Sequence, residues 1–207
     1  MQPTYVCFYT TGTIYETEAA RLRRSLDRLG LKHDLWPIED RGSWARNAGF
    51  TATFLLRSLQ IREGPVVYLD ADAIVWSTPT LFESLSPSEY DLAAHYRGDR
   101  ELLNGTLWMA NTPACRKAIE TYKAKCDARP DHRNEQIFLQ ETVREMGDAI
   151  RLRKLPASYC FIHDLMADDL VDGEQPVIEH MQASRETSKS TLLPNRRRRL
   201  AEIEGLI

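Results

Sequence analysis

The chain is poor in the features that mark several common protein classes. Its four cysteines, Cys7, Cys115, Cys126 and Cys160, form no CxxC pair, so neither a zinc knuckle nor a dithiol redox motif is expected. Cys115 and Cys126 stand eleven residues apart in one helical pattern, too far to bridge within it. All four read as reduced, structural thiols of a cytosolic protein. The formal charge is only −3, which argues against wholesale nucleic-acid binding. No apolar run approaches the length that spans a bilayer. The opening residues Met1-Gln2-Pro3-Thr4-Tyr5 lead straight into a strand, with no basic segment followed by an apolar one, so no signal peptide is expected. Internal repeats and low-complexity linkers are also missing. What is present, 207 residues of which 43% are hydrophobic, suffices for one domain with a full core, or one domain and a small appendage.

Within that chain the segment Tyr68-Leu69-Asp70-Ala71-Asp72 carries the most chemistry. The preceding run from Pro65 is continuously apolar rather than alternating, which predicts a strand covered on both faces. Carboxylates at i and i+2 of a strand point to the same side. Like charges so close are costly without a cation beside them, and oxygen ligands of this kind suit Mg²⁺ or Mn²⁺. Such an ion keeps positions open for phosphate, so the pair predicts a metal-assisted enzyme acting on a phosphate-bearing substrate. The bland alternative is a strand-end turn with two solvated carboxylates. A sharper one is a HAD-type phosphatase, with Asp70 as nucleophile and Asp72 as general acid. That pattern wants Thr or Val where Ile74 stands, and usually sits on a first strand; Asp168-Asp169 could supply its late acidic pair.

The rest of the chain places this strand third in a β-α-β-α-β order. Tyr5 to Tyr9 predicts a strand. Thr13 and Glu16 form a capping box for a helix whose buried face is Leu22, Leu26 and Leu29 and which stops at Gly30. Lys32 to Ile38 predicts a second strand. Trp44, Ala48, Leu55 and Leu59 share a face of a second helix. The Asp-bearing strand is expected to run on as Ala73 to Trp76. This order predicts parallel strands with right-handed crossovers and ligands beyond their carboxyl ends. Later, strands are expected at Asp91 to Tyr96 and Leu103 to Ala110, around a Gly98-Asp99 turn. Helices are expected from Pro113 to about Ala128 and, capped by Asn134, from Glu135 to Met146. Short strands near Arg151 to Leu155, Tyr159 to Ile162 and Val177 to Met181 follow, with Ala167 to Glu174 an acidic surface loop.

Four segments occur in an order that resembles the nucleotide-diphospho-sugar glycosyltransferases of the A-type fold, in the branch that includes glycogenin and bacterial lipopolysaccharide galactosyltransferases. They are Tyr68 to Asp72, Leu103-Asn104-Gly105-Thr106-Leu107-Trp108, Asn134-Glu135-Gln136-Ile137-Phe138 and Val177-Ile178-Glu179-His180-Met181. A DxD motif alone recurs by chance; four segments in order do so far less often. The resemblance implies a Rossmann-like α/β fold with a mixed, mainly parallel sheet flanked by helices (the GT-A fold), and a nucleotide-sugar-binding catalytic domain over residues 1–184. It implies transfer of a sugar from a nucleoside diphosphate sugar, UDP-sugar foremost, to a hydroxyl of a glycan, a lipid-linked sugar or a protein.

The site residues follow from the same likeness. Asp70, Asp72 and His180 match the ligands of a divalent Mn²⁺ or Mg²⁺ ion. The loop Thr10-Thr11-Gly12 matches the segment that wraps the nucleoside, although by itself it reads as a strand-to-helix turn. Thr51 stands where relatives use a basic residue, leaving Arg46 as a substitute that surface solvation or packing would explain equally well. Asn104-Gly105-Thr106 lies where relatives bind the donor sugar, although by itself it reads as a bulge or turn. Glu135 matches a base, if the reaction inverts, or a sugar-binding acid; Gln136 could stabilise the oxocarbenium face if it retains. Arg185 and Lys189 could close over the diphosphate as a lid, or belong to a disordered basic tail. A non-catalytic sugar-nucleotide-binding protein would keep the same metal site.

The tail over residues 185–207 differs in character. Between Arg185 and Arg199 it holds six basic residues and one acidic one. Asn195 could cap a last helix with Leu200, Ile203 and Leu206 as its apolar side. The run Arg196 to Arg199 reads as a solvated helix face, a contact with an anionic acceptor or membrane, or a nucleic-acid contact, in that order. A cytoplasmic protein visiting the inner membrane face is the expected setting.

Overall fold

In the computed structural model, residues 2–98, 100–187 and 190–206 are described; Asp99 and Lys189 lie outside them. The first half is β1 (Thr4–Thr10), α1 (Ile14–Arg28), β2 (His33–Ile38), α2 (Trp44–Gln60) and β3 (Val66–Leu69). Short elements β4 (Ala73–Val75) and α3 (Thr80–Ser84) precede the hairpin β5 (Leu92–Arg97) and β6 (Glu101–Met109). Then come α4 (Pro113–Ala128), α5 (Gln136–Met146), β7 (Leu152–Lys154), β8 (Ile178–His180), α6 (Ser184–Thr187) and α7 (Leu193–Ile203).

The main sheet has the order β2-β1-β3-β6-β5-β7. Pairs β1–β2, β1–β3 and β5–β7 are parallel, and β6 runs against both its neighbours. The mixed, mainly parallel α/β architecture is therefore present. Alternate residues of the central strands enter opposite cores. Val6, Phe8, Val66 and Tyr68 pack with α2, α4 and α5, whereas Tyr5, Cys7, Val67 and Leu69 pack with α1 and Phe82. Both faces are covered, which is why β3 reads as an unbroken apolar run.

Local signals explain the helix ends. Thr13 Oγ1 accepts from Tyr15 N, while Glu16 reaches back one residue further than a standard capping box, to Gly12 N. Gly30 adopts φ +64°, and the Gly30 and Leu31 amides donate to the carbonyls of Asp27 and Leu26, closing α1 as a left-handed cap. Pro113 sits in the first turn of α4 behind the Thr112 cap, as its missing N–H favours. All four cysteines are buried and free.

Several local expectations are corrected. The third strand does not run on past the aspartates: β4 leaves the main sheet and pairs antiparallel with β8. Around Tyr159 the chain forms a 3-10 turn (Ala157–Tyr159) and a single bridge from Phe161 to Glu179, not a strand. The residue capping α5 is Glu135, with no side-chain capping bond; Asn134 does not serve. Asn195 does not cap α7 but donates to Asp164. Of the apolar residues expected on α7, Leu200 and Ile203 pack on Ile74 and Met181, while Leu206 is exposed.

Candidate metal centre and donor cleft

Beyond the carboxyl ends of β1 and β3 lies a cleft of roughly 950 Å³, counting its open mouth. Asp70 and Asp72 form its floor. They do not sit on a strand, so strand alternation is not what aims them. They occupy the turn between β3 and β4, closed by Ala73 N donating to Asp70 O at 3.0 Å. Switching from the main sheet to the β4–β8 ladder is what brings the third member in. The ladder pairs Ala73 with His180, setting the imidazole beside Asp72 although the two are remote in sequence. Ligand atoms of Asp70, Asp72 and His180 all lie within 4.8 Å of one another.

Each member is oriented by a neighbour. Tyr68 OH donates to Asp70 Oδ1 at 2.7 Å, and Asp70 N donates to Gly105 O at 2.9 Å. The Ala183 amide donates to Asp72 Oδ2 at 2.7 Å; the left-handed backbone of Gln182, φ +53°, turns the chain to make this possible. Thr106 Oγ1 lies 2.8 Å from His180 Nε2, leaving Nδ1 facing Asp72 Oδ1 at 3.6 Å. Gly105 is required by space. A Cβ there would come within 2.9 Å of His180 Cε1 and 3.0 Å of Asp70 Oδ2.

The electrostatics describe an acid-rich pocket seeking positive charge. Burial, with the adjacent Asp72 charge, pushes the Asp70 carboxyl up. Burial acts the same way on Asp72, but the His180 contact and the Ala183 N–H outweigh it and hold its carboxyl down. Burial alone would depress His180; its neighbours Cys160 and Asp72 reverse this and raise it well above the usual imidazole range. A half-buried and a buried carboxylate sharing one buried imidazole form a donor set that suits a small divalent cation.

The cleft wall brings together most of the residues singled out from the sequence. Thr10, Asn104, Glu135 and Gln136 all line it. Asn104 links them: its Nδ2 donates to Glu135 Oε1 at 3.2 Å, and its amide N donates to Gln136 Oε1 at 3.2 Å. Burial pushes the Glu135 carboxyl above its ordinary range, against the bond from Asn104.

Others are spent elsewhere. Thr11 donates both its amide and its hydroxyl to Ile38 O, and Gly12 N goes to Glu16; neither residue lines the cleft. Arg46 faces away and pairs with Asp131 at 2.8 Å. Arg185 is buried and forks onto Asp164 at 2.6 and 2.9 Å, outside the cleft. Lys189 lies outside the described residues. Asp168 and Asp169 sit in an exposed 3-10 turn away from Asp70. The arginine run is mostly engaged: Arg196 pairs with Glu18 and Glu186, Arg197 with Glu186, and Arg199 with Glu179. Carboxylates of the fold thus take up charge that the sequence alone suggested for solvent or an anionic partner.

Sequence reasoning also missed residues. Arg133 is the one basic side chain among the described residues lining the cleft, against Asp70, Asp72 and Glu135. Trp44, 41% exposed, stands at its mouth with its Nε1 bonded to Tyr15 OH at 2.9 Å. Thr106 belonged to the expected donor-sugar segment, but its hydroxyl meets His180 Nε2 instead. Arg133 carried no sequence signal beyond preceding the Asn134-Glu135-Gln136 segment.

The fold is that of the GT-A glycosyltransferases, as the likeness to solved structures shows. Among solved structures, the chain is similar to a glycosyltransferase involved in glycosylation of the major capsid of PBCV-1, with TM-score 0.68 and 13% identity over 88% of this chain and 94% of that one. It is similar to the glycosyltransferase GlyE of Streptococcus pneumoniae TIGR4 (TM-score 0.60, 18% identity, 87% of this chain), of which it spans 54%. It is also similar to the galactosyltransferase LgtC, solved with donor and acceptor sugar analogues (TM-score 0.58, 12% identity, 86% of each chain). At these identities the shared property is the fold. No protein-family model and no curated protein matches the chain.

Proposed function

We propose that the protein is a metal-dependent glycosyltransferase that moves a sugar from a nucleoside diphosphate sugar, UDP-sugar foremost, to an acceptor hydroxyl. The observation that carries this reading is the Asp70–Asp72–His180 group, its ligand atoms within 4.8 Å, whose two carboxylates line the cleft of a GT-A fold while the buried imidazole stands behind them. These three residues would hold Mn²⁺ or Mg²⁺. When bound, the ion supplies Lewis-acid neutralisation of the departing diphosphate.

The other steps belong to the chain. Tyr68 and Thr106 fix the orientation of Asp70 and His180. Arg133 meets the donor's negative charge, the role that the sequence suggested for Arg46 and Arg185. Asn104 offers a carboxamide to sugar hydroxyls, and Gly105 lets the strand approach closely. Glu135, its basicity raised by burial, accepts the acceptor's proton if the reaction inverts; Gln136 faces the sugar if it retains. Thr10, Trp44 and Tyr15 shape the nucleoside end. The acceptor is a glycan, a lipid-linked sugar or a protein. No described helix is long and apolar enough to cross a membrane, and Arg197 and Arg198, exposed in their pairs with Glu186 and Glu202, are the residues of the basic run placed to meet an anionic surface from the cytoplasm.

A thermal-shift series with UDP and GDP, with and without Mn²⁺, tests the reading. Stabilisation that requires the ion is expected, and Asp72→Asn should abolish it; unchanged binding by that variant sinks the metal assignment. Slow hydrolysis of a sugar nucleotide then separates an enzyme from a non-catalytic binder. The phosphatase alternative loses support because Asp168 and Asp169 stand apart from Asp70.

A further inference from the structure

We infer that helix α7 is the strut of the metal centre, with Arg196 and Arg199 acting as positioning residues for His180 and for the amide that caps Asp72. This rests on the metal reading proposed above. No residue of α7 lines the cleft, so the effect is exerted from behind.

The segment from Glu179 to Glu186 carries both elements that face Asp72: the His180 ring and the Ala183 amide. Helix α7 pins that segment at its two ends. At one end Arg199 forks onto Glu179 at 2.8 and 2.9 Å. Glu179 is fully buried, also accepts from Trp76 Nε1 at 2.8 Å, and immediately precedes His180. At the other end Glu186 accepts from Arg196 at 2.8 Å and from Arg197 at 2.7 Å. Arg196 turns its second terminal nitrogen to Glu18 on α1, which anchors the clasp to the main body. Between the pins, Leu200 and Ile203 pack against Ile74 and Met181, the neighbours of Ala73 and His180.

This network is a poor device for stability alone. Buried ion pairs recover little beyond their desolvation cost, and the Arg196 Nε group is buried with no partner. Neither large core contains a residue of α7. What a forked arginine does supply is fixed geometry. Groups behind a ligand set its orientation and through it the affinity for metal.

The test uses the full chain. Glu186→Ala cuts the clasp while leaving Arg196 paired with Glu18. Arg199→Lys replaces the two-pronged grip on Glu179 with a single point charge. Lys125→Met serves as the control, since it removes ion pairs to Glu141 and Glu145 between α4 and α5, remote from the site. Two quantities are measured: Mn²⁺ affinity by calorimetry at 25 °C, and hydrogen exchange of a peptide covering residues 178–187. Glu186→Ala should weaken Mn²⁺ binding about tenfold and speed exchange in that peptide, Arg199→Lys should do both more mildly, and Lys125→Met should do neither. Wild-type affinity and exchange in Glu186→Ala would overturn the strut while leaving the metal reading intact. A wild-type protein that binds no Mn²⁺ would overturn both.

Discussion

At position 105 a hydrogen atom is all that the site can accommodate. A methyl group there would press on both His180 and Asp70, and alanine is otherwise acceptable in a strand. Gly105→Ala should therefore fold, with a circular dichroism spectrum like that of the wild type, yet lose Mn²⁺-dependent stabilisation by nucleotide. Retention of that stabilisation would show that the ligands can shift aside. Arg133 makes a different kind of contribution. As the basic side chain of an acidic cleft, it should act on donor affinity throughout the reaction, so Arg133→Ala should raise the donor KM about tenfold and leave kcat within a few-fold. An equal fall in kcat with KM unchanged would instead give Arg133 a role confined to the transition state. Neither residue's importance is visible from residue type alone. Glycines are common in strands that merely bulge, and the three arginines at positions 46, 133 and 185 look alike until their carboxylate partners are known.

The elements were legible where local physics decides them. Helix α4 has the bounds expected from its Pro113 start, and α1 ends at the glycine that its spacing marks, because capping and the left-handed stop are set by residues within a few positions. Less was legible where an element exists only through a distant partner. Strand β4 is three residues long, and no local pattern tells whether it continues β3 or turns away to meet β8. Arg46 similarly lies on the expected helix, near the expected rim, but its guanidinium follows Asp131. Strand β6 carries the most site chemistry per residue: Asn104 faces the cleft, Gly105 makes room for the ligands, and Thr106 holds the histidine. Thr106→Val keeps shape and strand propensity but removes the bond to Nε2, so Mn²⁺ affinity should fall about tenfold with little change in melting temperature. A large stability loss with unaltered affinity would make Thr106 a core residue only.

For the molecule as a whole, Asp91 is the knot between the sheet's far edge and α4. Its carboxylate accepts from Thr112 Oγ1 at 2.6 Å and from the Arg151 amide and guanidinium at 2.7 to 2.9 Å. The Arg151 contact, opposed by burial and joined by Thr112, holds its pKa down at about 2, against an ordinary 3.8. The folded pKa lies below the unfolded one, so the unfolded chain takes up the proton first. Stability from this group is fully present above about pH 4 and is lost as pH falls through 2. Asp91→Asn should cost roughly 1–3 kcal/mol at neutral pH, and the gap from wild type should narrow between pH 4 and pH 2 in urea unfolding. A gap that stays constant with pH would mean that packing, not the carboxylate charge, holds this corner together.

The order of helices and strands, the placement of an acidic pair at a strand end and the succession of four motif segments are properties of the sequence by itself. Periodicity and capping act over a few residues, and spacing along the chain survives without coordinates. Only the tertiary structure decided which charges meet. Asp72 and His180 become neighbours through a second sheet; Arg133 is left facing the cleft while Arg46, Arg185 and most of the arginine run are drawn to carboxylates elsewhere. Coulombic pairing depends on distance in space and on burial, and neither is written in the separation of residues along the chain.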